Sequence, residues 1–233
     1  MAGAQVFPAN LASACSPAMM TVAEPAVDHD RALLYNQSRP PYTAAVVDFV
    51  VEHTESSAFA VVADVGCGTG LSTLPFRQFA GTLIGIEPDP AMRTVAEETL
   101  TVHGVTVLSG SAEQTGLPDN SVNLIVAASC SEWFNHRQAA IEWRRILVPD
   151  GRVFLMWNHR VAIDSITRAW DRLWAHRMGP RLGPDIDDIA YMLIPRFPGP
   201  RFHRFSRVEH HHFDEADLLR FASNCQYLWI KIF

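Results

Sequence analysis

Gly66, Gly68 and Gly70 stand on alternate positions directly after the apolar run Val61 to Val65, and a second apolar run, Thr82 to Ile86, ends on Glu87. The pattern reads as a strand, a tight turn and a helix start, followed by a neighbouring strand with a carboxylate at its tip. Glycine reaches positive φ without a Cβ penalty and lets a ligand lie against the backbone. A helix start adds free N–H groups and the positive end of a dipole. A carboxylate at the tip of the next strand is placed to accept hydrogen bonds from two ribose hydroxyls. Together these features predict a nucleoside-containing cofactor at the carboxyl edge of a parallel sheet. The spacing is Gly-x-Gly-x-Gly, whereas dinucleotide sites use Gly-x-Gly-x-x-Gly.

The elements that must position these groups alternate along the chain. Strands are predicted at about 60–66, 82–87, 105–108, 122–127 and 152–157, and helices at about 71–80, 89–102 and 135–147. Asp89 suits the N-cap of the second of these helices, and Pro149-Asp150-Gly151 reads as a turn. Such alternation implies an α/β fold, a doubly wound and mainly parallel sheet with right-handed crossovers. Upstream, Pro40 and Pro41 suit the first turn of a helix, with Val46, Val47, Phe49 and Val50 as its apolar face. Residues 1–30, rich in Ala, Pro and Ser, read as a flexible lead-in, and 31–233 as one domain.

Four motifs occur in order: the run from Val61 to Gly70, then Glu87-Pro88-Asp89-Pro90-Ala91-Met92, then Gly110 to Asp119, then Ser121-Val122-Asn123-Leu124-Ile125-Val126. On these residues the chain resembles the class I S-adenosylmethionine-dependent methyltransferases, in particular the methyltransferase type 11 group and its trans-aconitate methyltransferase-like branch, over about residues 35–225. The resemblance implies the Rossmann-like class I methyltransferase fold, S-adenosyl-L-methionine as cofactor and methyl transfer to a small-molecule acceptor. It implies that Gly66, Gly68 and Gly70 approach the amino-acid moiety and that Glu87 holds the ribose. Pro88 and Met92 would pack near the adenine, Ser111, Ala112 and Glu113 would border its polar edge, and Ser129 would lie near the sulfur-bearing chain. In the family the segment matching Tyr35-x-x-x-Arg39-Pro40-x-Tyr42 lies across the cofactor mouth, so Tyr35 would cover the site and Arg39 would pair with the methionine carboxylate. The residues alone fit equally well a helix-start arginine held by a surface acid.

Two departures from the family pattern bear on the acceptor. Asn123 stands where an aspartate is common, and Glu132-Trp133-Phe134-Asn135 stands where the family shows His-Trp-Phe-Asp. Glu132 and His159 are therefore the candidates for acceptor contact, while Trp133 and Phe134 read as core. Methyl transfer from a sulfonium is an in-line displacement with an already activated leaving group, so the protein supplies chiefly proximity and alignment. A carboxylate acceptor needs no base, and no catalytic residue beyond these candidates is named.

Composition bounds the alternatives. The chain has 233 residues, 48% of them apolar, enough for one α/β domain with a full core. A net charge of −6 disfavours a nucleic-acid-coating surface. Lys231 is the only lysine. Cys15, Cys67, Cys130 and Cys225 show no paired spacing, which points to free thiols in a reducing, cytoplasmic compartment. No apolar run approaches the ~20 residues of a membrane span, and no basic residue precedes Arg31, which disfavours a secretory or mitochondrial leader.

Residues 159–207 break the alternation and carry nine arginines against five aspartates. In the family this insert caps the acceptor pocket, where a cationic cap would favour a carboxylic acid; a solvated arginine face fits the charges as well. His210 and His212 share a face of an expected sixth strand at about 205–213 but lack third and fourth partners for a metal, so none is expected. After a short helix at about 214–222 the sequence ends where the resemblance implies a further helix and a last antiparallel strand, so that strand is expected to be missing. Two alternatives to the methyltransferase reading follow: a shortened, inactive cofactor- or partner-binding remnant, and a nicotinamide-dependent oxidoreductase.

Overall fold

The computed structural model describes residues 28–54, 58–158 and four isolated helical positions, 165, 168, 169 and 172. His159, the rest of the arginine-rich insert, the expected sixth strand with His210 and His212, the helix at 214–222 and most of the lead-in lie outside the described residues.

Five strands make one sheet: β1 (Phe59–Val65), β2 (Ala80–Ile86), β3 (Thr106–Leu108), β4 (Val122–Ala128) and β5 (Leu147–Met156). Their order is β3-β2-β1-β4-β5, and every neighbouring pair is parallel. The chain therefore winds outward from β1 in one direction and then returns to start again at β4. The crevice between the carboxyl ends of β1 and β4 is the switch point where open parallel sheets bind ligands.

Alternation along the central strands builds two cores. Val62, Leu124 and Val126 face one side with Val47 and Val50 of α2 (Ala44–Thr54) and Ala96 and Leu100 of α3 (Pro90–Leu100). Ala63, Ile125 and Ala127 face the other side with Ala139, Trp143 and Ile146 of α4 (His136–Ile146). Both faces are covered, which is why these strands read as continuous apolar runs. Burying Trp143 and Phe76 completely removes two large apolar surfaces from water, each worth roughly 1.5–3 kcal/mol.

The α/β fold expected from the sequence is the fold observed, with local differences. A helix α1 (His29–Ser38), capped by the Asp28 side chain on the Arg31 N–H at 2.8 Å, crosses the boundary expected at residue 31, where no helix was expected. Pro40 and Pro41 lie in the link between α1 and α2 and not in a first helical turn, because α2 begins at Ala44. The helix expected over 71–80 is absent. A 3-10 turn, Leu74–Phe76, stands there, and β2 already starts at Ala80. The hydroxyls of Ser72 and Thr73 are drawn to the Asp64 carboxylate, each at 2.7 Å, and Pro75 starts the tight turn. Asp89 caps α3 as expected, accepting from the Ala91 and Met92 N–H groups at 2.9 Å. The Pro149-Asp150-Gly151 turn is real but sits inside β5. Its register on β4 jumps from Val122↔Leu147 to Leu124↔Arg152, with Asp150 at φ 66°.

Candidate cofactor and acceptor site

The glycine loop sits on the tips of β1 and β2. The N–H groups of Gly66 and Cys67 both donate to the Ile86 carbonyl, at 2.8 and 3.1 Å. Gly66, Gly68 and Gly70 have φ of 74°, 58° and 92°, the left-handed region that side chains resist. A Cβ on Gly66 would lie 2.9 Å from the Cys130 sulfur, and one on Gly70 2.7 Å from Leu100 Cγ. At Gly68 the nearest atom to such a Cβ is Met92 Cε, 3.7 Å away. The two outer glycines are thus required by packing beneath the loop, whereas the middle one leaves its backbone open to a ligand.

Two carboxylates flank this loop. Glu87, 7% exposed, accepts from the Gly68 N–H at 2.8 Å on one oxygen and from the Asp89 N–H at 2.9 Å on the other. Burial raises its pKa against these two donors. Asp64 is fully buried. Its Oδ2 accepts both hydroxyls of Ser72 and Thr73, and its Oδ1 has neither solvent nor a hydrogen-bond partner. Burial pushes its pKa up to about 6, offset in part by the two hydroxyls. A buried, half-satisfied carboxylate is costly unless a ligand completes it.

The segment Tyr35 to Tyr42 closes over the carboxyl edge from the other side. Thr69 Oγ1 donates to Asn36 Oδ1 at 2.9 Å, tying α1 to the glycine loop. The Arg39 guanidinium lies 5.1 Å from the centre of the Tyr35 ring, a cation–π stack. The Tyr35 phenol, its pKa raised by burial, also senses Cys130, Glu132 and Glu87. The Tyr42 hydroxyl shares a 2.9 Å hydrogen bond with Ser129 Oγ at the tip of β4. Ser129 itself is held at φ 49°. The structure brings Tyr35, Arg39, Gly66, Gly68, Glu87 and Ser129 to one edge.

The other residues singled out from the sequence have structural contacts of their own. Glu113 accepts the Asn135 N–H at 2.7 Å, so its side chain pins the start of α4. Ser111 and Gln114 close a small turn on each other, and Ala112 is buried in the core on the α4 side. Pro88 is exposed beside the glycine loop's Glu87. Phe134 packs as expected, edge-on to Trp143 with ring centroids 5.8 Å apart. Trp133 does not: it is 55% exposed, because the 3-10 turn Ser131–Trp133 directs neighbouring residues to opposite sides. Asn123 accepts the Val61 N–H at 2.9 Å and so serves the sheet. Burial raises the thiols of Cys67 and Cys130 well above their usual range, which makes both poor nucleophiles. Asp64, Asn36 and Tyr42 are the site residues the sequence reading left without a role. Asp64 stands two positions before Gly66, and Tyr42 lies in the segment already singled out.

These groups fit S-adenosylmethionine. A backbone cradle open at Gly68, a strand-tip carboxylate for two hydroxyls and a buried carboxylate oxygen in want of a cation match its amino-acid, ribose and ammonium parts. The fold is the Rossmann-like fold of the class I S-adenosylmethionine-dependent methyltransferases. Residues 63–155 of the chain match a family model described as a methyltransferase domain. The uncharacterized methyltransferase Rv3342 of Mycobacterium tuberculosis is 28% identical over 186 residues, 79% of this chain and 68% of that protein. The probable S-adenosylmethionine-dependent methyltransferase CRG1 of Saccharomyces cerevisiae is 26% identical over 53% of this chain and 43% of its own length. The structure of a candidate type II methyltransferase from Anaeromyxobacter dehalogenans superposes with a TM-score of 0.58 at 26% identity, covering 71% of this chain and 69% of that one. Among the described residues no helix is long and apolar enough to cross a membrane.

Proposed function

We propose that the protein methylates a small molecule that enters at the tip of β4, and that S-adenosylmethionine lies over the glycine loop. The observation that carries this reading is the loop itself, open at Gly68 and flanked by the buried carboxylates Asp64 and Glu87. Gly66, Gly68 and Gly70 border the methionine part, Glu87 takes the ribose, and Pro88 with Ser111, Ala112 and Glu113 flanks the base. Asp64 receives the ammonium. Tyr35 and Arg39 cover the methionine end, and Ser129, positioned by Tyr42, borders the sulfur. When bound, the cofactor supplies an electrophilic methyl on a sulfonium whose departure needs no acid. The chain's own residues hold it, exclude water and aim the acceptor.

The motif pattern supports the trans-aconitate methyltransferase-like branch. The arginine excess over 159–207 supports a carboxylic acid acceptor, whereas Glu132 puts a negative group at the same mouth. Incubating the full chain with methyl-labelled cofactor and a cell extract separated into small-molecule, protein and nucleic-acid fractions tests the reading. Label is expected in the small-molecule fraction. Label confined to protein or nucleic acid would overturn it.

A further inference from the structure

Among the described residues, Glu132 is a half-buried carboxylate near the site that neither the loop nor a cation explains. It lies in the 3-10 turn Ser131–Trp133, directly beyond Ser129 and the tip of β4. Its Oε2 has no solvent contact and no hydrogen-bond partner. The Trp157 indole stands close enough to favour the ionised carboxylate, yet its buried Nε1–H closes no hydrogen bond with it. An acceptor oxygen and a donor nitrogen thus lie near one another, and neither closes a hydrogen bond. Orphaned pairs of this kind are rare and call for a partner.

Comparison with Glu142 shows what is missing. That carboxylate is buried, but Arg145 holds it with bonds of 2.8 and 2.7 Å and Thr115 donates from its N–H at 2.9 Å, so its pKa is lowered to about 2. Glu132 makes no salt bridge among the described residues, and burial raises its pKa, opposed by its own backbone N–H and by Trp157. A second anion placed here would meet an uncompensated carboxylate in a low-dielectric site. A hydrogen-bond donor would satisfy it.

Position decides what that donor belongs to. Glu87, at the end of β2, marks that side of the crevice for the nucleoside. The β4 side is left for the second substrate. We infer that Glu132 recognises the methyl acceptor and that the group it receives is an O–H or N–H, so that the acceptor meets the site with an alcohol, phenol or amine and not with a carboxylate. Trp157 Nε1–H is then free to donate to a lone pair of the same molecule. This rests on the methyltransferase reading for the place of the acceptor.

Two probes of matched shape and opposite charge test the inference, benzylamine and benzoate. Each is titrated into the full chain saturated with S-adenosylhomocysteine, and binding is followed by isothermal titration calorimetry. The wild-type chain is expected to bind benzylamine roughly tenfold or more tightly than benzoate, the ratio a charge-assisted hydrogen bond supplies. Glu132→Gln is expected to erase that preference while S-adenosylhomocysteine binds within threefold of wild type. Should that variant not fold, Glu132→Ala replaces it with the same expectation. Benzoate preferred over benzylamine, binding of neither probe, or a preference unchanged by the substitution overturns the inference. Loss of S-adenosylhomocysteine binding by the wild-type chain would instead overturn the cofactor reading on which it rests.

Discussion

Asp64 shows how a single residue carries both a cost and a function. Its folded pKa of about 6 stands above the ordinary 3.8 because burial disfavours the charge. The folded state therefore keeps its proton to higher pH than the unfolded state does. Stability from this group declines as pH rises from about 4 to about 6, by an amount on the order of 2–3 kcal/mol, and stays low above that. Asp64→Asn is expected to remove this decline, so that denaturant unfolding of the variant and wild type diverges between pH 4.5 and 7.5 in the variant's favour. Identical pH slopes in the two proteins would show that Asp64 is not the buried charge described. Residues at strand tips were legible from the sequence because their position in the chain is their position at the edge; Glu87 is the case in point. Glu113 was not legible, because the group it bonds, the Asn135 N–H, is 22 positions away. Trp133 and Phe134 are neighbours of similar character, and only the turn geometry decides which one is buried.

Among the elements, α4 is fixed to the sheet by a fully buried face. Trp143 and Ile146 fill the core on its side, and Asn135 caps its start on the Gln138 N–H at 3.2 Å. Its last turn is tied to the loop before β4. Arg145 reaches Asp119, the Leu117 carbonyl and Glu142, and Glu142 accepts both the N–H and the hydroxyl of Thr115. Glu142→Gln is expected to destabilise the fold by about 1–3 kcal/mol at neutral pH, the cost of weakening hydrogen bonds to buried donors. Because the folded pKa of Glu142 is lowered to about 2, its contribution is present above pH 4.5 and lost as pH falls toward 2. The gap between variant and wild type in thermal unfolding should accordingly close toward pH 2. A gap that persists there would place the effect elsewhere. Helix α4 was legible from its apolar spacing. The helix expected at 71–80 misled because Ser72 and Thr73 carry no pattern announcing that their hydroxyls go to Asp64. Helix α1 was missed because its sequence, His29 to Ser38, sets a single block, Ala32 to Tyr35, between polar residues and so shows no helical face.

At the scale of the molecule, the alternation of strands and helices was enough to give a doubly wound parallel sheet, because parallel strands require crossovers and their burial on both faces leaves unmistakable apolar runs. The strand order and the switch point at β1 and β4 follow from that topology, and they put the glycine loop, Glu87 and Glu132 along one edge. What the alternation could not show is how the Tyr35–Tyr42 segment folds back over the edge, since that depends on the Asn36–Thr69 and Tyr42–Ser129 contacts between residues 33 and 87 positions apart. The central claim is that this edge holds S-adenosylmethionine. Calorimetric titration of S-adenosylhomocysteine into the wild-type chain and into Glu87→Ala tests it most directly. One-to-one binding by the wild type, weakened in the variant by roughly 1–3 kcal/mol, is the predicted result. A folded wild-type chain that binds nothing, or a variant that binds equally well, would contradict it.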